Sequence, residues 1–213
     1  MNMAKNPTEQ LITDIGELNW VFINGNPKVD KKGVEKYLAA LHFHKDSEEL
    51  KIIQEKIKAF WTENKPKGAR QKSNGIKVVQ RKVEGKFDEN GDQEYEDTDF
   101  MSVNFWTGTK FPDGKDKVVI IRNARGSEVS LGSKKIGNGS LGAISGAMGI
   151  YDREDGKGVT LYLNQIKLKT FIEYAGGGED FGDGFSDGDF AGVEGDFEGP
   201  AATEGEDTPK PRL

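Results

Sequence analysis

The sequence predicts a mainly β body, residues 1–175, carrying a two-helix insertion and followed by a disordered acidic tail, residues 176–213. Three observations carry that reading. Short β-branched and aromatic runs, separated by Gly, Asn and Asp turns, fill the chain from residue 75 to residue 170. Apolar residues at helical spacing are confined to the stretch between Asp30 and Asn64. Charge divides at Gly176: the last 38 residues hold eleven Asp or Glu against Lys210 and Arg212, a net of −9. The 175 residues before them carry 28 basic and 25 acidic side chains, a net of +3. The overall −6 conceals a mildly basic body and a strongly acidic end.

In chain order, Glu17–Asn24 (ELNWVFIN) has the β-branched and aromatic content of a half-buried strand. Gly25, Asn26 and Pro27 turn the chain, and Asp30 is placed to cap a helix with Val34, Leu38 and Leu41 on one face. Ser47 opens a second helix, with Leu50, Ile53, Ile57 and Phe60 on its apolar stripe. Pro66 and Gly68 stop it. Strands are then expected at 75–84, 98–107, 117–122, 128–131, 140–151 and 158–170, with hairpin chemistry at Asn90-Gly91 and Asp113-Gly114. In the last of these Val159, Leu161 and Leu163 alternate, and Ile166 and Leu168 continue out of phase. One extra residue near Asn164-Gln165, a β-bulge, restores the register. Many short strands of this kind indicate a small barrel or sandwich. The tail has no periodic apolar face and too little core-forming surface to offset its ordering entropy. Phe181, Phe185, Phe190 and Phe197 recur through it, each near an acid.

Composition narrows the chemistry. No cysteine is present, which removes disulfides, thiolate nucleophiles and zinc–thiolate sites. No apolar run approaches the roughly 18 residues of a membrane span, and MNMAKNPTEQ lacks a signal-peptide core. A soluble, intracellular chain is expected. Gly137–Gly142 matches G-x-G-x-x-G, but Gly142, Gly146 and Gly149 interrupt any following helix and no acid lies in 159–164. It reads as a Gly-rich inter-strand loop. His42 and His44, the only histidines, would point to different faces of a helix and share no metal. The carboxylates from Asp88 to Asp99 lack EF-hand spacing and read as a solvated hairpin tip. No nucleophile–base pair with supporting context exists, and no cofactor or metal is required.

The strongest local signal is electrostatic. Lys65, Lys67, Arg70, Lys72, Lys77, Arg81, Lys82 and Lys86 face a single acid, Glu84, across 22 residues. Backbone phosphates are the natural partner of such a run. Alternation in Phe100–Trp106 places Met101, Val103 and Phe105 toward the core and Phe100, Ser102, Asn104 and Trp106 on the other face. Two flat aromatics on a polar face make a base-stacking platform, to which Tyr162 and Asn164 are placed to add. Trp20 and Phe22 are expected instead to pack beneath the helices.

With the final strand GVTLYLNQIKLKTF (Gly158–Phe171) and the tail beginning GGGEDFGDGF at Gly176, the chain resembles bacteriophage single-stranded DNA-binding proteins. That resemblance implies an OB-fold, a five-stranded Greek-key barrel, with sequence-independent binding of single strands and no catalysis. It also implies a tail that contacts replication or recombination proteins and competes with DNA. The expected site is Lys65, Lys67, Arg70, Lys72, Lys77, Arg81, Lys82, Phe100, Asn104, Trp106 and Tyr162 for DNA, and the four tail phenylalanines for protein partners. The expected setting is the cytoplasm of an infected bacterium, in DNA replication, recombination and repair, with homo-oligomers open. This tail departs from the pattern by ending Lys-Pro-Arg-Leu, and the two helices by standing between the first strands. The rival activities are a metal-dependent nuclease using Asp97 and Asp99, and single-strand annealing.

Overall fold

The computed structural model describes residues 7–30, 32–154 and 156–174; the tail, with its four phenylalanines, lies outside them. In chain order the elements are β1 (Thr8–Ile12), β2 (Gly16–Phe22), β3 (Lys28–Val29), β4 (Glu35–His44), α1 (Glu48–Asn64) and β5 (Gln71–Ser73). There follow β6 (Ile76–Phe87), β7 (Gln93–Gly108), β8 (Ile120–Arg122), β9 (Ser140–Arg153) and β10 (Gly156–Thr170). The described residues are mainly β with one helix.

Pairing runs antiparallel from β2 to β4 and from β4 to β7. A single parallel bridge, Trp106 with Tyr162, joins β7 to β10. β10 pairs antiparallel with β9 over most of its length, and β9 returns to β2 through residues 140–142. Inward residues of this circuit (Leu18, Leu41, Val103, Phe105, Ile144, Met148, Leu161, Leu163 and Ile166) form a core that excludes solvent. α1 lies against β4, β9 and β10 and adds Leu50, Ile53, Ile57, Phe60 and Trp61 to that core. Ser47 caps it by accepting from Leu50 N–H, and Lys65 ends it, as its flanking residues dictate.

The two-helix insertion is corrected to one helix. Asp30 caps no helix; residues 35–44 are a strand. Val34, Leu38 and Leu41 fit a helical stripe, but Tyr37, Ala39, Leu41 and Phe43 fit period two and are all buried, with Ala40 the one buried residue of the other face. Pairing with β2 on one side and β7 on the other decides between the two patterns. Asp30 instead closes the β3–β4 hairpin: its Oδ1 accepts from Lys32 N–H and Val34 N–H, with Gly33 at φ 77°. The segment 128–131 forms no strand, only an isolated bridge from Glu128 to Arg122. β1, absent from the expected set, pairs with residues 145–149 of β9.

Other local expectations hold. Gly91 and Gly114 take positive φ in their turns. The register of β10 against β9 shifts between Leu163 and Gln165, leaving Asn164 as the bulged residue. A second bulge, in β2, overturns the expectation for two aromatics. Trp20 and Val21 together oppose Ala39, so Trp20 is extruded, 57% exposed, at φ 53° with its N–H donated to Asn138 Oδ1. A bulky residue is strained there. Phe22 pairs with Leu38 and lies half-buried on the outer face.

Candidate nucleic-acid interface

Three strands build one outward face. β7 contributes Phe100, Ser102, Asn104 and Trp106. In register opposite them β4 contributes His44, His42, Ala40 and Leu38, and β2 adds Phe22 beyond Leu38. Because residues 35–44 are a strand, the two histidines point the same way. His44 meets the Phe100 ring edge-on at 5.8 Å, and burial pushes His42 below the usual histidine range, opposed by Glu17. Both belong to the outward face of β4.

At the single-bridge seam between β7 and β10 the Trp106 and Tyr162 rings stand 5.8 Å apart, tilted at 57°. They line a groove of about 460 Å³ with Leu38, Asn104, Tyr151 and Thr160. Lys28, Lys77 and Arg153 line it as well. It continues on one side past Lys36 and Asp30, and on the other past Lys72, Ser73 and Asn74. Aromatics between cations are the composition that takes bases and phosphates together.

Small residues shape the groove. A Cβ on Gly149 would stand 2.7 Å from the Tyr162 ring, so the ring lies on bare backbone of β9. Gly149→Ala is therefore expected to push the ring away, since a ring edge moves more easily than a strand. Oligonucleotide affinity should fall by up to about tenfold, as part of one stacking contact is lost, with a melting temperature close to the parent's. Asn104 lines the groove with its amide engaged, donating to Ser102 O at 3.0 Å and to Gly75 O at 3.4 Å. It ties the Gly75 turn to β7. Thr160, 7% exposed, is different: its hydroxyl has no hydrogen-bond partner among the described residues. A buried orphan hydroxyl costs about 1–3 kcal/mol. Thr160→Val should thus raise the melting temperature by several degrees and weaken oligonucleotide binding several-fold; unchanged binding would assign the hydroxyl no ligand.

Of the residues singled out in the sequence, Trp106, Tyr162, Asn104, Lys77 and Lys72 come together at this groove. Phe100, 44% exposed, lies six residues from Trp106 on the same face, roughly 20 Å along the strand. Lys65, Lys67 and Arg70 are exposed between α1 and β5 and do not line the groove. Arg81 and Lys82 sit on a β6–β7 ribbon in which no residue from 77 to 99 is buried, and Arg81 is paired with Glu96. Across residues 79–97 seven acids outweigh three bases, so this ribbon carries net negative charge. Asp97 accepts from Gln80 at 2.9 Å, and Lys45 at 2.6 Å holds Asp99 below the usual carboxylate range. Lys28, Lys36, Tyr151 and Arg153 were missed, because only the topology brings them to the aromatics.

No known family profile matches the chain, and no curated protein matches it. Solved structures do. The crystal structure of gp2.5, a single-stranded DNA binding protein encoded by bacteriophage T7, superposes with a TM-score of 0.55 at 15% identity, covering 84% of this chain and 100% of that one. The chain shares the fold of phage single-stranded DNA-binding proteins. A second, the single-stranded DNA-binding protein from bacteriophage Enc34 in complex with ssDNA, matches with a TM-score of 0.52 at 14% identity, covering 78% of this chain and 89% of that one.

Proposed function

We propose that this chain is a non-enzymatic, sequence-independent single-stranded DNA-binding protein whose body is an OB-fold barrel. The observation that carries the reading is the Trp106–Tyr162 pair in a groove flanked by Lys28, Lys36, Lys72, Lys77 and Arg153. Bases stack on aromatic faces whatever their identity, and phosphates meet the flanking cations. The folds of the T7 and Enc34 proteins support the same conclusion. The role that follows is protection of exposed single strands during phage DNA replication, recombination and repair, in the cytoplasm of the bacterial host. The acidic tail, net −9, recruits replication proteins through its four phenylalanines and competes with DNA for the groove.

Titration with oligo-dT and a mixed-sequence oligonucleotide of equal length tests the reading. Equal affinities support it; no binding, or strong preference for one sequence, overturns it. Strand cleavage on adding magnesium would make the protein a nuclease. Faster pairing of complementary strands would make annealing its activity.

A further inference from the structure

The β3–β4 hairpin places two lysines where electrostatics disfavours them. Lys28 and Lys36 are directly opposite in register, an arrangement that costs stability when the charges are alike. Each ammonium also lies near a ring of the outer face: Lys28 is 5.8 Å from the Phe22 centroid and Lys36 is 5.4 Å from the Trp106 centroid. Asp30 relieves the pair, its Oδ2 meeting Lys36 Nζ at 2.8 Å while its Oδ1 holds the turn. The hydrogen bonds from Lys36 and from the turn amides bring the Asp30 pKa down to about 2, so it is an anion throughout the working pH range. Lys28, Asp30, Lys36, Leu38 and Trp106 together line one end of the groove.

Lys36, with Lys28 directly opposite it in register, is thus already paired with an anion, beside the ring on which a base would stack. We propose that Lys28 and Lys36 form a phosphodiester-binding site at this end of the groove, that Asp30 occupies it in the DNA-free protein, and that a strand's phosphate replaces Asp30 as the partner of Lys36. This rests on the single-stranded DNA-binding reading and gives it an exchange step: Lys36 leaves Asp30 for the phosphate as the base takes its place over Trp106. The two lysines are eight positions apart and outside the main basic run, and only the hairpin that turns at Asp30 to Gly33 sets them side by side.

The experiment is a double-mutant cycle on the full chain, titrated with oligo-dT across a salt series. Asp30→Asn keeps an oxygen for the Lys32 and Val34 N–H groups, removes the charge, and should bind three- to tenfold more tightly than the parent. Lys36→Met should bind more weakly, with the slope of log K against log salt shallower by about 0.7, the value of one phosphate contact on single strands. The decisive species is Asp30→Asn/Lys36→Met. If Lys36 is what Asp30 restrains, the gain from Asp30→Asn disappears in that background. A gain of the same size with and without Lys36 would make Asp30 a diffuse repulsive charge and overturn the exchange, as would an Asp30→Asn variant that binds like the parent. A parent chain with no affinity for oligo-dT would instead defeat the wider reading. Melting curves for all four proteins keep changes in folding apart from changes in binding.

Discussion

Trp106→Ala is expected to weaken binding of oligo-dT by about five- to 150-fold, the equivalent of the roughly 1–3 kcal/mol that one stacked base contributes, and to leave most of the folding stability in place. The expectation follows from where the ring sits. Trp106 is half-buried on the outer face of β7, its ring centroid 5.8 Å from that of Tyr162 and 5.4 Å from Lys36 Nζ. Its chain neighbour Phe105 points the other way and is fully buried. Phe105→Ala should therefore do the converse, costing about 3–5 kcal/mol of stability with affinity per folded molecule unchanged. Calorimetric melting paired with fluorescence-anisotropy titration separates the two effects. A Trp106→Ala protein that melts like Phe105→Ala and binds like the parent would return Trp106 to the core and remove the platform.

That split between neighbouring residues was legible in the sequence, because period two within Phe100–Trp106 assigns each side chain a face without knowledge of the partner strands. The same local logic located α1, through Ser47 and its apolar stripe, and the bulge at Asn164. It failed at residues 34–44 for an identifiable reason. Leu38-Ala39-Ala40-Leu41 satisfies helical and extended periodicities equally, and Ala and Leu favour a helix when nothing else decides. What decided was long-range pairing on both edges, which no window on the sequence contains. β1 escaped for a related reason. Of its five residues only Leu11 is buried, and its hydrogen bonds go to β9, more than 130 positions away.

The site was half legible. Its aromatics were found because face and chemistry coincide in a single strand. Its cations were sought in the densest basic run, and density in sequence is not proximity in space. Beyond Lys77 that run climbs a ribbon whose other strand carries Glu94, Glu96 and Asp97. Lys28 and Lys36 lie outside that run, at the ends of a short lysine cluster broken by Asp30 and Glu35, and a hairpin and one ladder set them against Phe22 and Trp106. The available signal was the turn Asp30 to Gly33 between them. It reads as a hairpin only once the helix is abandoned.

The two maps of positive charge predict different salt behaviour, and the difference is large. Each phosphate neutralised on a single strand adds about −0.7 to the slope of log K against log salt. Five groove cations, Lys28, Lys36, Lys72, Lys77 and Arg153, give a slope near about −3.5, so a tenfold rise in salt should lower affinity about 3,000-fold. Single charge removals then identify which lysines and arginines contribute. Lys77→Gln and Arg153→Gln should each flatten the slope by about 0.7, because both line the groove beside the aromatics. Arg81→Gln should leave it unchanged, since the guanidinium is paired with Glu96 on a ribbon whose net charge is negative and which repels a phosphate chain. Lys67→Gln, exposed in the loop after α1, should also leave it unchanged. If instead Arg81→Gln and Lys67→Gln flatten the slope as much as Lys77→Gln does, the strand tracks along the basic run and its ribbon. The groove would then hold bases without setting the path of the backbone.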